Sequence, residues 1–149
     1  KEFGYELQVQ SRFYTLIYLL VTKYRKTNVD AEMVKSNKKL MKLSTITDYM
    51  KNNYNKDLSL ESLAQTFGYS PTYLSRMFQK YAKTNYKTYL DNLRLEHAYK
   101  DLMNTELSIS AIASQNGFPN SKAFAKVFQK KYKELPSKFR KANLGRSLL

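Results

Sequence analysis

Cysteine is absent from the 149 residues. No disulfide, thiolate metal site or thiol nucleophile is therefore available, and the composition suits a reducing cytoplasm, where the protein is expected to work. There is a single histidine, His97, which reads as a solvated or partly packed mid-helix side chain. No phosphate-cradling glycine loop, carboxylate pair or Ser/His/Asp arrangement is visible, so neither enzyme, cofactor nor metal site is expected. Four glycines and three prolines leave little room for many tight turns, which favours an all-α fold. The longest apolar run, Leu16 to Val21, falls far short of the roughly 20 residues a membrane span needs. Nothing reads as a signal peptide.

Acidic residues are scarce too: 12 Asp+Glu face 26 Lys+Arg, a formal charge of +14. Such an imbalance repels itself unless a polyanion relieves it. Nucleic acid is the first candidate partner and an anionic membrane surface the second. No acid occurs between Ser62 and Leu90.

Inside that acid-free window lies SPTYLSRMFQKY, residues 70–81. Ser70 can N-cap a helix whose first position is Pro71. Leu74, Met77, Phe78 and Tyr81 follow at i, i+3, i+4 and i+7, one apolar stripe. The opposite face carries Thr72, Ser75, Arg76, Gln79 and Lys80. A packed back with a cationic, hydrogen-bonding front has the chemistry needed to enter a major groove.

The pattern occurs twice. LSLESLAQTFGY (58–69) returns 49 residues later as LSISAIASQNGF (107–118). LSRMFQKYAK (74–83) returns 50 residues later as FAKVFQKKYK (124–133). Ser59 and Ser108 are the expected caps of the first helices, Ala64 and Ala113 permit a close crossing, and Gly68 and Gly117 supply the turns. One helix-turn-helix match is weak; two in tandem in a basic chain is a strong signal. Between them YKTYLDNLRLEHAYKDLMN (86–104) reads as a helix on the order of 28 Å long, with Tyr89, Leu90, Leu93, Ala98 and Leu102 inward and Glu96 and Lys100 paired. Successive major-groove faces lie about 34 Å apart. Most of the thirteen tyrosines sit at apolar helical positions and read as core with hydroxyls at its edge.

Upstream, residues 5–26 read as a helix with Phe13, Leu16, Ile17, Leu20 and Tyr24 on one stripe, which must pack on its own chain, a second copy or a further domain. Residues 27–37 lose periodicity and read as a linker. A helix from about Lys38 to Tyr54 should turn Leu40, Leu43, Ile46, Met50 and Tyr54 inward. Beginning at Lys1 rather than Met, the chain is expected to be a piece of something longer.

These segments resemble the AraC/XylS-type bacterial transcription regulators, from IxxYMxxNY through both repeat units to LPSKFR, over about Leu43 to Lys141. The resemblance implies two helix-turn-helix subdomains (about 38–84 and 107–141) joined by the 86–104 helix, within a DNA-binding domain of 38–143. Residues 1–37 would be the tail of a dimerisation or effector region. It implies binding of double-stranded DNA through two adjacent major grooves, usually as a homodimer. RNA polymerase is a candidate partner, and a small-molecule effector would bind a domain absent here; no membrane role is implied. The base-reading positions fall on Thr72, Ser75 and Arg76, then on Ser121, Lys122, Ala125 and Lys126. Lys80, Lys130, Lys131, Lys138 and Arg140 are expected to meet phosphate, and Arg94 to make a structural salt bridge. Lys83 and Lys133 stand where the family often has glycine. The competing class is a non-specific, nucleoid-type binder.

Overall fold

In the computed structural model, residues 5–24 and 31–144 are described. They form α1 (Tyr5–Tyr24), α2 (Ala31–Asn53), α3 (Leu60–Thr66), α4 (Pro71–Met77) continued by a π-helical turn (Phe78–Ala82), α5 (Tyr86–Asn104), α6 (Ile109–Gln115), α7 (Ser121–Tyr132) and α8 (Pro136–Leu144). Among the described residues no strand occurs, and the all-α expectation holds.

The chain divides into two compact units, Lys1–Lys38 and Lys39–Leu149. In the first, residues 8–24 of α1 are all exposed, including Phe13, Leu16, Ile17, Leu20 and Tyr24. Arg25 and Lys26, expected in this helix, lie outside the described residues, as do 27–30. The linker expected over 27–37 is corrected where it is described: residues 31–37 are already helical. AEMVKSN contains neither Gly nor Pro, so lost periodicity there signalled an unburied helix rather than a broken one. Met33 and Val34 are exposed accordingly.

The second unit holds two hydrophobic clusters. One gathers Leu43, Ile46 and Met50 of α2, Leu63 and Ala64 of α3, Leu74, Met77 and Phe78 of the α4 segment, and Tyr86 and Leu90 of α5. The other gathers Leu95, Ala98 and Leu102 of α5 with Ile112, Ala113, Phe118, Phe124 and Phe128. Burying each such large apolar side chain stabilises by about 1.5–3 kcal/mol. Leu40, expected inward, is instead 44% exposed; it lies a turn beyond the edge of the first cluster.

Within each cluster a short helix, a turn and a second helix follow in order, and the local chemistry explains why. Ser59 Oγ accepts the Ser62 N–H at 3.0 Å while Ser62 Oγ returns a bond to the Ser59 N–H, a reciprocal cap on α3. Ser108 Oγ caps α6 through the Ala111 N–H. Gly68 (φ +68°) and Gly117 (φ +76°) take left-handed backbone. The next residues' N–H groups then reach back, Tyr69 to the Ala64 carbonyl at 2.8 Å and Phe118 to that of Ala113 at 2.9 Å, closing each helix end.

Lys83 and Lys133 also have positive φ, +54° and +62°. Left-handed backbone costs a side-chain-bearing residue about 1–2 kcal/mol. Glycine's larger unfolded-state entropy, and the favourable place of a cation at a helix C-terminus, offset part of what glycine would gain. Lys83→Gly and Lys133→Gly should each raise stability by about 0.5 kcal/mol, whereas the β-branched Lys83→Val and Lys133→Val should lower it by about 1 kcal/mol or more. Thermal unfolding of the four variants checks this; any order other than Gly above Lys above Val would contradict left-handed strain.

Candidate nucleic-acid interface

The first candidate surface is α4 with its π-helical continuation. Ser70 Oγ accepts the Tyr73 N–H at 3.2 Å, and Pro71 occupies the first position, as its missing donor permits. Leu74, Met77 and Phe78 are buried behind. That anchoring turns Thr72, Arg76, Gln79 and Lys80 outward, with Ser75 half-buried at the edge. The second surface is α7, capped by Asn120, whose Oδ1 accepts the Ala123 N–H at 2.8 Å. Phe124 and Phe128 are buried behind it. Lys122, Lys126, Gln129, Lys130 and Lys131 are exposed, while Ser121 and Ala125 are half-buried.

Charge on these faces is uncompensated. Among the described residues the ion pairs are Lys51–Asp48 (2.8 Å), Lys87–Asp91 (2.9 Å) and Lys100–Glu96 (3.5 Å), all on α2 or α5. The expected Glu96–Lys100 pair therefore forms, but both partners are more than half exposed, so it adds little. No cation of α4 or α7 has a carboxylate partner among the described residues. The first face offers an incoming anion the Arg76 fork, both offer lysine point charges, and Ala125 offers only an apolar methyl group.

Two arginines point inward. Arg94, 6% exposed, donates from Nε to the Tyr54 carbonyl at 2.8 Å and from Nη2 to that of Lys56 at 2.9 Å. It is structural as expected, though it binds carbonyls rather than a carboxylate. Arg140, expected to meet phosphate, is turned toward backbone carbonyls. Its Nε donates to the Leu102 carbonyl at 3.2 Å and its Nη1 to that of Leu107 at 2.6 Å, and its Nη2 is buried. The half-buried guanidinium is committed to carbonyls where α5 leads into α6. Lys138 is exposed.

Three features had no signal in the sequence pattern. Lys39 of α2 comes beside Tyr73, Arg76 and Lys80, lining a hollow of about 240 Å³ on the flank of the α4 segment. Asn116 is buried, with Nδ2 donating to Asp101 Oδ2 at 2.6 Å and to the Ile112 carbonyl at 2.9 Å. Tyr86 donates to the Leu58 carbonyl at 2.5 Å, and burial pushes its pKa up to about 12, keeping the hydroxyl a donor.

Helix, turn and outward-facing second helix, twice within one basic unit, define a helix-turn-helix protein. A helix-turn-helix domain family matches residues 63–142. The uncharacterized HTH-type transcriptional regulator YijO of Escherichia coli K12 is 38% identical over 96 residues, 64% of this chain and 34% of that protein. The chain thus spans about a third of that relative's length. A solved AraC-type DNA-binding-domain transcriptional regulator from Chromobacterium violaceum is 28% identical, with TM-score 0.60 over 72% of this chain and 93% of that one. The DNA-binding domain of AdpA, solved with a target DNA, shares the fold at 20% identity, with TM-score 0.66 over 70% and 94%. The chain belongs to the AraC/XylS-type helix-turn-helix family, a family of regulator DNA-binding domains and not of enzymes.

Replacing Arg140 by alanine should lower stability by about 2–4 kcal/mol, since two hydrogen bonds from a charged donor are lost. A cation on phosphate contributes about 0.9 to the slope of log K against log salt on duplex DNA. That slope should stay unchanged in Arg140→Ala; a drop of about 0.9 with normal stability would restore the phosphate role.

Proposed function

We propose that this chain is the DNA-binding part of a sequence-specific transcription regulator, with α4 and α7 as the reading helices of two subdomains (about 38–84 and 107–141) joined by α5. The helices enter adjacent major grooves of one double-stranded site. The observation that carries this reading is the pair of capped helices, each with an aromatic-backed core face and a cationic front lacking carboxylate partners. That AdpA was solved on a target DNA supports it at the level of fold.

In the first groove Thr72, Ser75 and Arg76 read bases, Arg76 fitting guanine bidentately. In the second, Ser121, Lys122, Ala125 and Lys126 do so with less directional chemistry, since a lysine ammonium is a point donor. Lys80, Lys130, Lys131 and Lys138 hold phosphate. A second copy covers Phe13, Leu16, Ile17, Leu20 and Tyr24 of α1. In this reading the protein works in the cytoplasm, a small-molecule effector binds a domain outside this chain, and RNA polymerase is a partner of the assembled regulator.

Selection from a random duplex pool should yield a preferred site of about 15–20 base pairs, two successive helical turns. On that site Arg76→Ala should lose roughly 5- to 150-fold in affinity, with little change on unrelated DNA. Equal losses on both would remove Arg76 from base reading. Binding that prefers no sequence but falls steeply with salt would favour the nucleoid-type alternative.

For the dimer, sedimentation equilibrium of the intact chain should show concentration-dependent pairing that Leu16→Glu with Leu20→Glu abolishes. A wild-type chain that stays monomeric at every concentration would refute pairing through α1.

A further inference from the structure

We infer that Gly117 is a spacing determinant: by seating the second turn directly on the backbone at Asn55, it fixes the distance at which α4 and α7 meet DNA. This rests on the reading of those two helices as DNA readers. A Cβ built on Gly117 would lie 2.8 Å from Asn55 Cα and 2.9 Å from its carbonyl carbon and oxygen. Those are main-chain atoms and cannot swing aside as a side chain would. Gly68 occupies the same place in the first repeat with nearly the same backbone (φ +68°), yet nothing lies within 4 Å of its added Cβ. Both glycines answer a left-handed turn. Only Gly117 also answers a collision between the two halves.

Each side of the contact is anchored to α5. The Asn53–Asp57 turn is held by the Arg94 guanidinium through the Tyr54 and Lys56 carbonyls, and the Tyr54 ring stacks on His97 at 4.0 Å. On the other side Asn116, the residue before Gly117, is tied to Asp101. The two turns and α5 therefore close a triangle. A helix alone would leave the halves free to bend and twist about it; the third side removes that freedom. Spacing between the two groove contacts then becomes something the protein selects for.

The absence of cysteine allows a direct measurement. Spin labels at Gln79→Cys and Gln129→Cys sit on equivalent, exposed positions of the two reading segments. Pulsed dipolar spectroscopy on the free chain should give one narrow distance distribution. Gly117→Ala should shift or broaden it, and Gly68→Ala should leave it as in wild type. Circular dichroism reports whether each variant is folded. Should Gly117→Ala fail to fold, Arg94→Gln, which releases the Asn55 turn, is expected to broaden the distribution instead. A broad distribution in free wild type, or an unchanged one in every folded variant that disturbs the contact, overturns the proposal.

On a selected duplex, one base pair inserted between the two half-elements should weaken wild type roughly tenfold or more and Gly117→Ala distinctly less. Equal weakening of both overturns the spacing role. Failure to select any sequence would instead defeat the DNA-reading assignment, leaving the distance measurement to judge the contact.

Discussion

The second unit depends on a single uninterrupted helix sharing its side chains between two cores. Over its 19 residues α5 gives Tyr86 and Leu90 to one cluster and Leu95, Ala98 and Leu102 to the other. The changeover falls at Arg94, whose side chain serves neither core and instead holds the Tyr54 and Lys56 carbonyls. Fraying at the middle of α5 would therefore cost both clusters at once. The second cluster repeats the device at its own entry turn, where Arg140 from α8 holds the Leu102 and Leu107 carbonyls. A guanidinium suits such places because its fork satisfies two carbonyls that no backbone N–H can reach.

The short helices around the proposed reading surfaces could not stand without this support. α3, α4 and α6 have seven residues each, well under the roughly 12–15 residues at which isolated helices become even marginal. Their order comes from caps and from burial. Ser59, Ser70, Ser108 and Asn120 each occupy an N-terminal donor, while Phe78, Phe124 and Phe128 anchor the backs. Such anchoring fixes rotation about the helix axis, and rotation decides which side chains face outward. Under the proposed function, the identity of Thr72 or Lys126 matters only because a buried phenylalanine behind its helix fixes which way that helix faces.

Periodicity and the internal repeat made much of this legible. Stripes such as Leu74, Met77 and Phe78 predict which face is buried, and paired motifs such as the two glycines predict where the chain turns. What stayed hidden is where periodicity carries no information. Residues 31–37 are helical and none of 33–37 is buried, so the pattern there reads as linker. Arg140 lies in a run of basic residues, and composition cannot distinguish a guanidinium reaching outward from one bonded to carbonyls 33 and 38 positions away. Asn116 looks like a turn residue and proves to be a buried tie to Asp101. Lys39 meets the α4 segment only through tertiary contact. Long-range polar bonds depend on the finished fold and leave no local trace.

The two faces are not equivalent, and the difference has a physical consequence under the proposed function. The first presents an arginine and hydroxyl groups, with Lys39 joining from α2. The second presents mainly lysines around a half-buried Ala125. Bidentate contact discriminates between bases, whereas ammonium groups near phosphate contribute affinity that hardly varies with sequence and weakens with salt. A chain built this way would draw selectivity chiefly from its first half and holding strength chiefly from its second. Such a division works only if the halves cannot drift apart. A weakly selective half allowed to find its own groove would bind wherever phosphate is available, while one clamped to its neighbour is carried to the position the more selective half has chosen.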